Sequence, residues 1–171
     1  RVLFAGRLAP EKRLHEVLEA AAALPDMRFI VAGDGPLKGE VEAAAERLHN
    51  LEYLGWLSRA DLLVQMDLTD ALVLPSELES FGTVALEAMA RERLALVTRS
   101  CGIVNWPSLA DHLVSFRLDQ PLYEVLDRVR AWSDDRRISM AASARSAAVG
   151  LNRESLYQWM DLLAPGRGPK S

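Results

Sequence analysis

The amino-acid sequence predicts an α/β protein, a doubly wound sheet of six parallel strands with helices on both faces. Six short apolar runs alternate with amphipathic stretches: Val2 to Ala5, Arg28 to Ala32, Leu51 to Leu54, Ala71 to Leu74, Leu94 to Thr98 and Leu113 to Phe116. Apolar runs of strand length separated by helical patterns are what a parallel sheet covered on both sides requires. Size agrees: 171 residues, half of them apolar and 26% charged, suffice for one core without covalent staples.

Each element has its own local reason. After the first run, Pro10-Glu11-Lys12 opens a helix with proline and an acid in its first turn, and Leu14, Val17, Leu18, Ala21 and Leu24 give it one apolar face. The second run ends on Gly33-Asp34-Gly35-Pro36, a turn sequence, with a helix following through Leu48. A short helix from Ser58 to Met66 follows the third run, and one from about Phe81 to Arg91 follows the fourth. From Leu122 onward helices dominate. Ser133-Asp134-Asp135 predicts one break, and Gly150-Leu151-Asn152 a second, with Asn152 capping a last helix that contains Trp159 and Leu163. The Gly- and Pro-rich stretch 164–171 has no apolar period and is expected to be disordered, which leaves 1–163 as the domain. The abrupt start on Val2-Leu3-Phe4 points to a domain boundary just upstream.

Composition excludes several functions. With 20 Lys and Arg against 24 Asp and Glu, a net charge of −4 argues against a nucleic-acid reader and a polybasic membrane anchor. The single cysteine, Cys101, has no intramolecular partner, and His15, His49 and His112 show no metal-ligand spacing, so neither a disulfide nor a metal is expected. A reducing, cytoplasmic compartment fits. No run approaches the ~20 apolar residues of a membrane span.

In a doubly wound sheet ligands bind beyond the carboxyl ends of the strands, so the loops after each run are where chemistry belongs. They carry Gly6-Arg7-Leu8 with Lys12, then Gly33-Asp34-Gly35-Pro36, then Gly55-Trp56-Leu57, then Pro75 to Gly82 running into a helix that holds Glu87. Glu79 and Glu87 flank the start of that helix, whose free N–H groups suit an anion. Arg7 and Lys12 would meet phosphates, and the carboxylates would accept from hydroxyls. A nucleotide sugar has that shape. Singly, each group is ordinary: Glu79 and Glu87 read as surface acids, Arg7 beside Glu11 as a solvated pair, and Gly33 to Pro36 as a turn. Their order along the chain is what lifts them above that.

Gly6-Arg7-Leu8 with Glu11-Lys12, Gly33-Asp34-Gly35-Pro36, Leu54-Gly55 and Pro75-Ser76-x-x-Glu79-x-Phe81-Gly82-x-x-x-Leu86-Glu87-Ala88-Met89-Ala90 occur in sequence. Together they make the chain resemble the C-terminal, donor-binding domain of retaining GT-B glycosyltransferases, glycosyltransferase family 4, over roughly the first 105 residues. The resemblance implies a Rossmann-like sheet forming one half of a GT-B fold, the half that binds a nucleoside-diphosphate sugar. The N-terminal acceptor domain would lie outside this sequence, and any membrane association would go through that domain. By the same resemblance Arg7 and Lys12 match the basic pair on the donor diphosphate, Glu79 the acid facing the donor sugar, and Glu87 the acid on the ribose. Ser80, Phe81, Gly82 and Thr83 would present backbone N–H groups to phosphate, Gly55, Trp56 and Leu57 would lie against the base, and Gly33 would form part of the same rim. The implied reaction transfers a hexose with retention to a glycan, lipid or small hydroxyl acceptor, through an oxocarbenium-like state, with no cofactor or metal and with protein cations on the leaving diphosphate.

The sequence also departs from the family pattern. Arg91-Glu92-Arg93-Leu94 replaces the usual x-Gly-x-Pro, so Glu92 predicts a different helix termination. Cys101-Gly102-Ile103-Val104-Asn105 replaces Gly-Gly-x-x-Glu, and Arg13 stands where Gly commonly follows Glu-Lys, a position read as helix interior. These departures keep a second reading open: a non-catalytic interaction or nucleotide-sensing module on the same fold.

Overall fold

A computed structural model describes residues 1–163, with side chains described through Leu151, so the tail expected to be disordered lies outside the described residues. Six strands, β1 (Val2–Ala5), β2 (Phe29–Ala32), β3 (Leu51–Gly55), β4 (Ala71–Leu74), β5 (Leu94–Thr98) and β6 (Val114–Phe116), form one sheet in the order β3-β2-β1-β4-β5-β6. Every pairing is parallel. The order reverses between β1 and β4, which pair only through Val2 with Ala71 and Leu3 with Leu72.

Helices α1 (Leu14–Ala23), α2 (Lys38–Arg47), α3 (Arg59–Asp67), α4 (Thr83–Ala90), α5 (Pro107–Ala110), α6 (Leu122–Arg130) and α7 (Asp134–Leu163) connect and cover the strands. Strand alternation assigns the faces. Val2 and Phe4 point into a core shared with Leu14 and Val17 of α1, Val41 of α2 and Leu122 and Val125 of α6. Leu3 and Ala5 point the other way, onto Met66 of α3, Ala85 and Met89 of α4 and Ala144 of α7. Phe4, Phe29, Leu3 and Leu72 are fully buried in these layers, each stabilising the fold by on the order of 2 kcal/mol. The doubly wound expectation holds.

The differences lie at element ends. Pro10–Lys12 is a separate turn of 3-10 helix, and Arg13 takes φ 50°, so α1 begins only at Leu14. Arg13 is a left-handed junction and not a helix interior, which is why glycine suits that place. The arginine is held there by its guanidinium, which donates to the Leu118 carbonyl at 2.8 Å and pairs with buried Glu16, whose other oxygen accepts from the Leu122 N–H. Glu92 likewise adopts φ 59° itself, so α4 closes in the left-handed way without a glycine and the predicted change of termination does not occur. Ser58 caps α3 from outside, accepting from the Asp61 N–H. The break at Ser133 is present, since α7 begins at Asp134. The second break is absent: the backbone of α7 runs through Gly150 and Asn152, so no helix starts at Asn152, because a lone glycine costs a long packed helix only about 1 kcal/mol. Among the described residues no helix is long and apolar enough to cross a membrane.

Candidate functional site

The carboxyl ends of β1 to β4 carry the predicted loops, and all open on one rim. Their backbones are packed tightly enough to demand glycine. A Cβ on Gly33 would stand 1.8 Å from the Gly6 carbonyl oxygen, and Gly33 has φ 144°. The Gly33 N–H donates to the Gly55 carbonyl at 2.8 Å, and its own carbonyl accepts from the Tyr53 hydroxyl at 3.0 Å. Burial pushes the Tyr53 phenol above its ordinary pKa and keeps it a donor. Asp34 closes its own turn by accepting from the Gly35 N–H.

These turns line a cleft of about 330 Å³ walled by Gly6, Arg7, Gly33, Asp34, Trp56 and Leu57, with Leu62 of α3 at its side. Arg7 is exposed on that wall. Trp56 is 73% exposed, its indole presented to the cleft from the turn that Gly55 starts with φ 67°. Lys12 and Glu79 are drawn together elsewhere on the rim. The Lys12 ammonium donates to Glu79 Oε2 at 2.6 Å, with the side chains 19% and 22% exposed. Glu77 N–H donates to the Glu11 carbonyl at 2.8 Å, so the loops after β1 and β4 are tied by backbone as well as by charge.

Gly82, buried with φ 93°, turns the chain into α4, whose first residue is Thr83. Helix α4 therefore starts two residues later than the sequence suggested, leaving Ser80 exposed and Phe81 half-buried in the loop. A helix start leaves N–H groups without intrahelical acceptors. One turn on, Glu87 is half-buried and pairs through Oε1 with Arg59 Nη1 at 2.7 Å. The structure thus gathers Arg7, Gly33, Gly55, Trp56 and Leu57 around the cleft, brings Lys12 onto Glu79, and places Ser80, Phe81, Gly82 and Thr83 at the helix start; Glu87 meets Arg59 and none of the other predicted residues.

Two partners escaped the sequence reading. Arg59 had no signal beyond following a Ser cap. Trp106, which makes a T-shaped contact with Phe81 at 5.7 Å between ring centroids, directly follows the Cys101 to Asn105 segment that departs from the family pattern. Cys101 is buried, and desolvation raises its thiol above the ordinary range, in keeping with the absence of any assigned role.

Residues 1–106 match the glycosyl transferases group 1 family. The chain belongs to that family. The chain is 35% identical over 111 residues to the alpha-D-kanosaminyltransferase of Streptomyces kanamyceticus, covering 61% of this chain and 28% of that protein. It is 40% identical over 97 residues to a D-inositol 3-phosphate glycosyltransferase of Mycobacterium sp. (strain KMS), covering 52% of this chain and 22% of that protein. Among solved structures, Anabaena Alr3699/HepE in complex with UDP superposes with a TM-score of 0.72 at 21% identity, over 94% of this chain and 48% of the other. WaaG, a glycosyltransferase of lipopolysaccharide biosynthesis, gives a TM-score of 0.71 at 24% identity, over 97% and 47%. The group 1 chain thus has the Rossmann-like fold of GT-B enzymes, and it spans about a quarter of those two curated relatives' length and about half of these solved neighbours.

Proposed function

We propose that residues 1–163 are the C-terminal, donor-binding domain of a retaining family 4 glycosyltransferase, completed by an N-terminal acceptor domain. Its substrate is a nucleoside-diphosphate sugar, and the whole protein moves the hexose with retention to a glycan, lipid or small hydroxyl acceptor. The observation that carries this reading is the Lys12–Glu79 pair, a cation and an acid held 2.6 Å apart beside the start of α4. Family membership and the UDP named for the Alr3699/HepE structure support the same ligand class.

In this reading the donor diphosphate lies between Arg7, Lys12 and the N–H groups at the start of α4. It competes with Glu79 for the Lys12 ammonium and releases the Glu79 carboxylate to accept from hydroxyls of the sugar. Glu87 accepts from the ribose, its orientation set by Arg59. Trp56 and Leu57 flank the base. As the bond to the sugar breaks, negative charge grows on the diphosphate and the two fixed cations stabilise it, with neither metal nor cofactor required. Acceptor contacts come from the other domain, so the isolated domain binds nucleotide without turnover, and a cytoplasmic setting fits a nucleotide-sugar donor.

Calorimetric titration with UDP, GDP and ADP tests the binding half, and no heat with any of them at millimolar concentration overturns it. In the full-length protein, Glu79→Ala is expected to abolish transfer while leaving nucleotide affinity nearly unchanged. One observation favours the alternative module: no acid stands in Cys101 to Asn105, where the family pattern has one. A full-length protein inert toward every donor would establish that reading.

A further inference from the structure

The segment after β5 is stitched to the loop that carries Glu79. A single parallel bridge joins Glu79 to Cys101, and the Gly102 N–H donates to the Glu79 carbonyl at 2.8 Å. The Ile103 N–H donates to the Phe81 carbonyl at 2.8 Å. Fit is close on both sides of the stitch: a Cβ on Gly102 would stand 1.9 Å from the Ser80 carbonyl oxygen, and one on Gly82 would stand 2.7 Å from Cys101 Sγ. Next to this stitch the Trp106 and Phe81 rings make a T-shaped contact, with 84° between their planes.

We propose that Trp106 is a positioning residue for the diphosphate subsite, acting through Phe81 on the backbone from Ser80 to Thr83; the proposal rests on the donor-site reading above. The loop from Pro75 to Gly82 has no helix or strand of its own, and it ends on a glycine with φ 93°, a residue that fixes no conformation by itself. Anion binding at a helix start needs its N–H groups held in place before the ligand arrives. The two backbone hydrogen bonds fix residues 79 and 81 from below, and the edge-to-face contact keeps Phe81 from swinging outward. The segment that departs from the family pattern thus sets the shape of the neighbouring loop.

The test has two arms on the 171-residue chain. Amide exchange at Gly102 and Ile103 is followed in wild type, Trp106→Ala and Trp106→Phe. Each chain is also titrated with UDP and uridine, GDP and guanosine, and ADP and adenosine. Trp106→Ala is expected to speed exchange at both amides, to weaken the bound diphosphate about fivefold and to leave its nucleoside within about twofold, with Trp106→Phe restoring both. Unchanged exchange, an unchanged diphosphate affinity, or equal loss of diphosphate and nucleoside each overturns the positioning role while the donor site stands. A wild-type chain that binds none of the six overturns the donor-site reading and this proposal with it.

Discussion

The two rims of the sheet differ in a way that volume alone would misjudge. The larger hollow, about 630 Å³, lies at the amino ends of the strands, against α6 and α7, and includes Arg28, Arg93, Arg130, Arg137, Met27 and Leu126. The smaller cleft, at the carboxyl ends, is about half that size. Yet the large hollow is edged by long side chains already engaged with neighbours: Arg130 with Asp127, Arg137 with Asp134, Glu92 with Arg145. The small one is shaped by a tight backbone turn at Gly33, whose Cβ would strike the Gly6 carbonyl oxygen. Long surface side chains can rearrange cheaply, whereas turns this tight admit one residue type. Investment of conformation marks a site better than empty space does.

The sharpest way to break this contrast is at Gly33. Gly33→Ala is expected to destabilise the fold by about 3 kcal/mol, because the added methyl overlaps the Gly6 carbonyl and φ 144° is foreign to alanine; urea midpoints measure it. Next comes the charge on the same rim. Charge-assisted contacts to phosphate contribute about 1.5–3 kcal/mol, so Arg7→Ala is expected to weaken a nucleoside diphosphate about tenfold or more and leave the nucleoside alone. Glu87→Ala weakens both alike. Equal losses with Arg7→Ala, read by calorimetry, would remove the diphosphate assignment.

A smaller effect concerns the left-handed residues. Glu92→Gly at the lower rim removes strain of about 1 kcal/mol and an exposed ion pair that contributes at most about that much, so thermal melts are expected to show no loss and a slight gain. Arg13→Gly relieves the same strain but leaves buried Glu16 without its guanidinium, and net destabilisation is expected. Smaller still, stability is expected to fall as pH rises above about 8.5, where an unfolded thiol ionises, because the buried Cys101 thiol keeps its proton to higher pH; Cys101→Ala flattens that slope between about pH 7 and 9.5 in urea titrations. Arg28→Ala, on the larger hollow, is expected to change stability by no more than about 0.5 kcal/mol and nucleotide binding not at all.

Much of this was readable in the residues. The six apolar runs became the six strands to within a residue at either end, since burial on both faces leaves so few polar options. The rim was legible because strand ends in this topology all face one way. Arg13 and Glu92 misled because φ is not written in residue type: arginine and glutamate name no left-handed turn, and only distant partners, Leu118 for one and Arg145 for the other, accompany it. Gly150 misled in the opposite sense, its helix continuing past it. The Arg59–Glu87 and Phe81–Trp106 contacts join elements far apart in sequence, and no local period announces such pairs.

The short pairing of β1 with β4 has a thermodynamic consequence. Past Leu3 and Leu72 the two strands share no further register pair, and at the upper rim the halves of the sheet meet through loop contacts such as Lys12 to Glu79 and Glu77 to Glu11. A ligand gripped by Arg7 on one half and by the start of α4 on the other would act as a non-covalent crosslink across that seam. Its contribution grows with the logarithm of its concentration, about 2.7 kcal/mol at a hundredfold excess over the dissociation constant. Melting temperature would then become a titration curve, rising for ligands that reach both halves and flat for those that touch one only weakly.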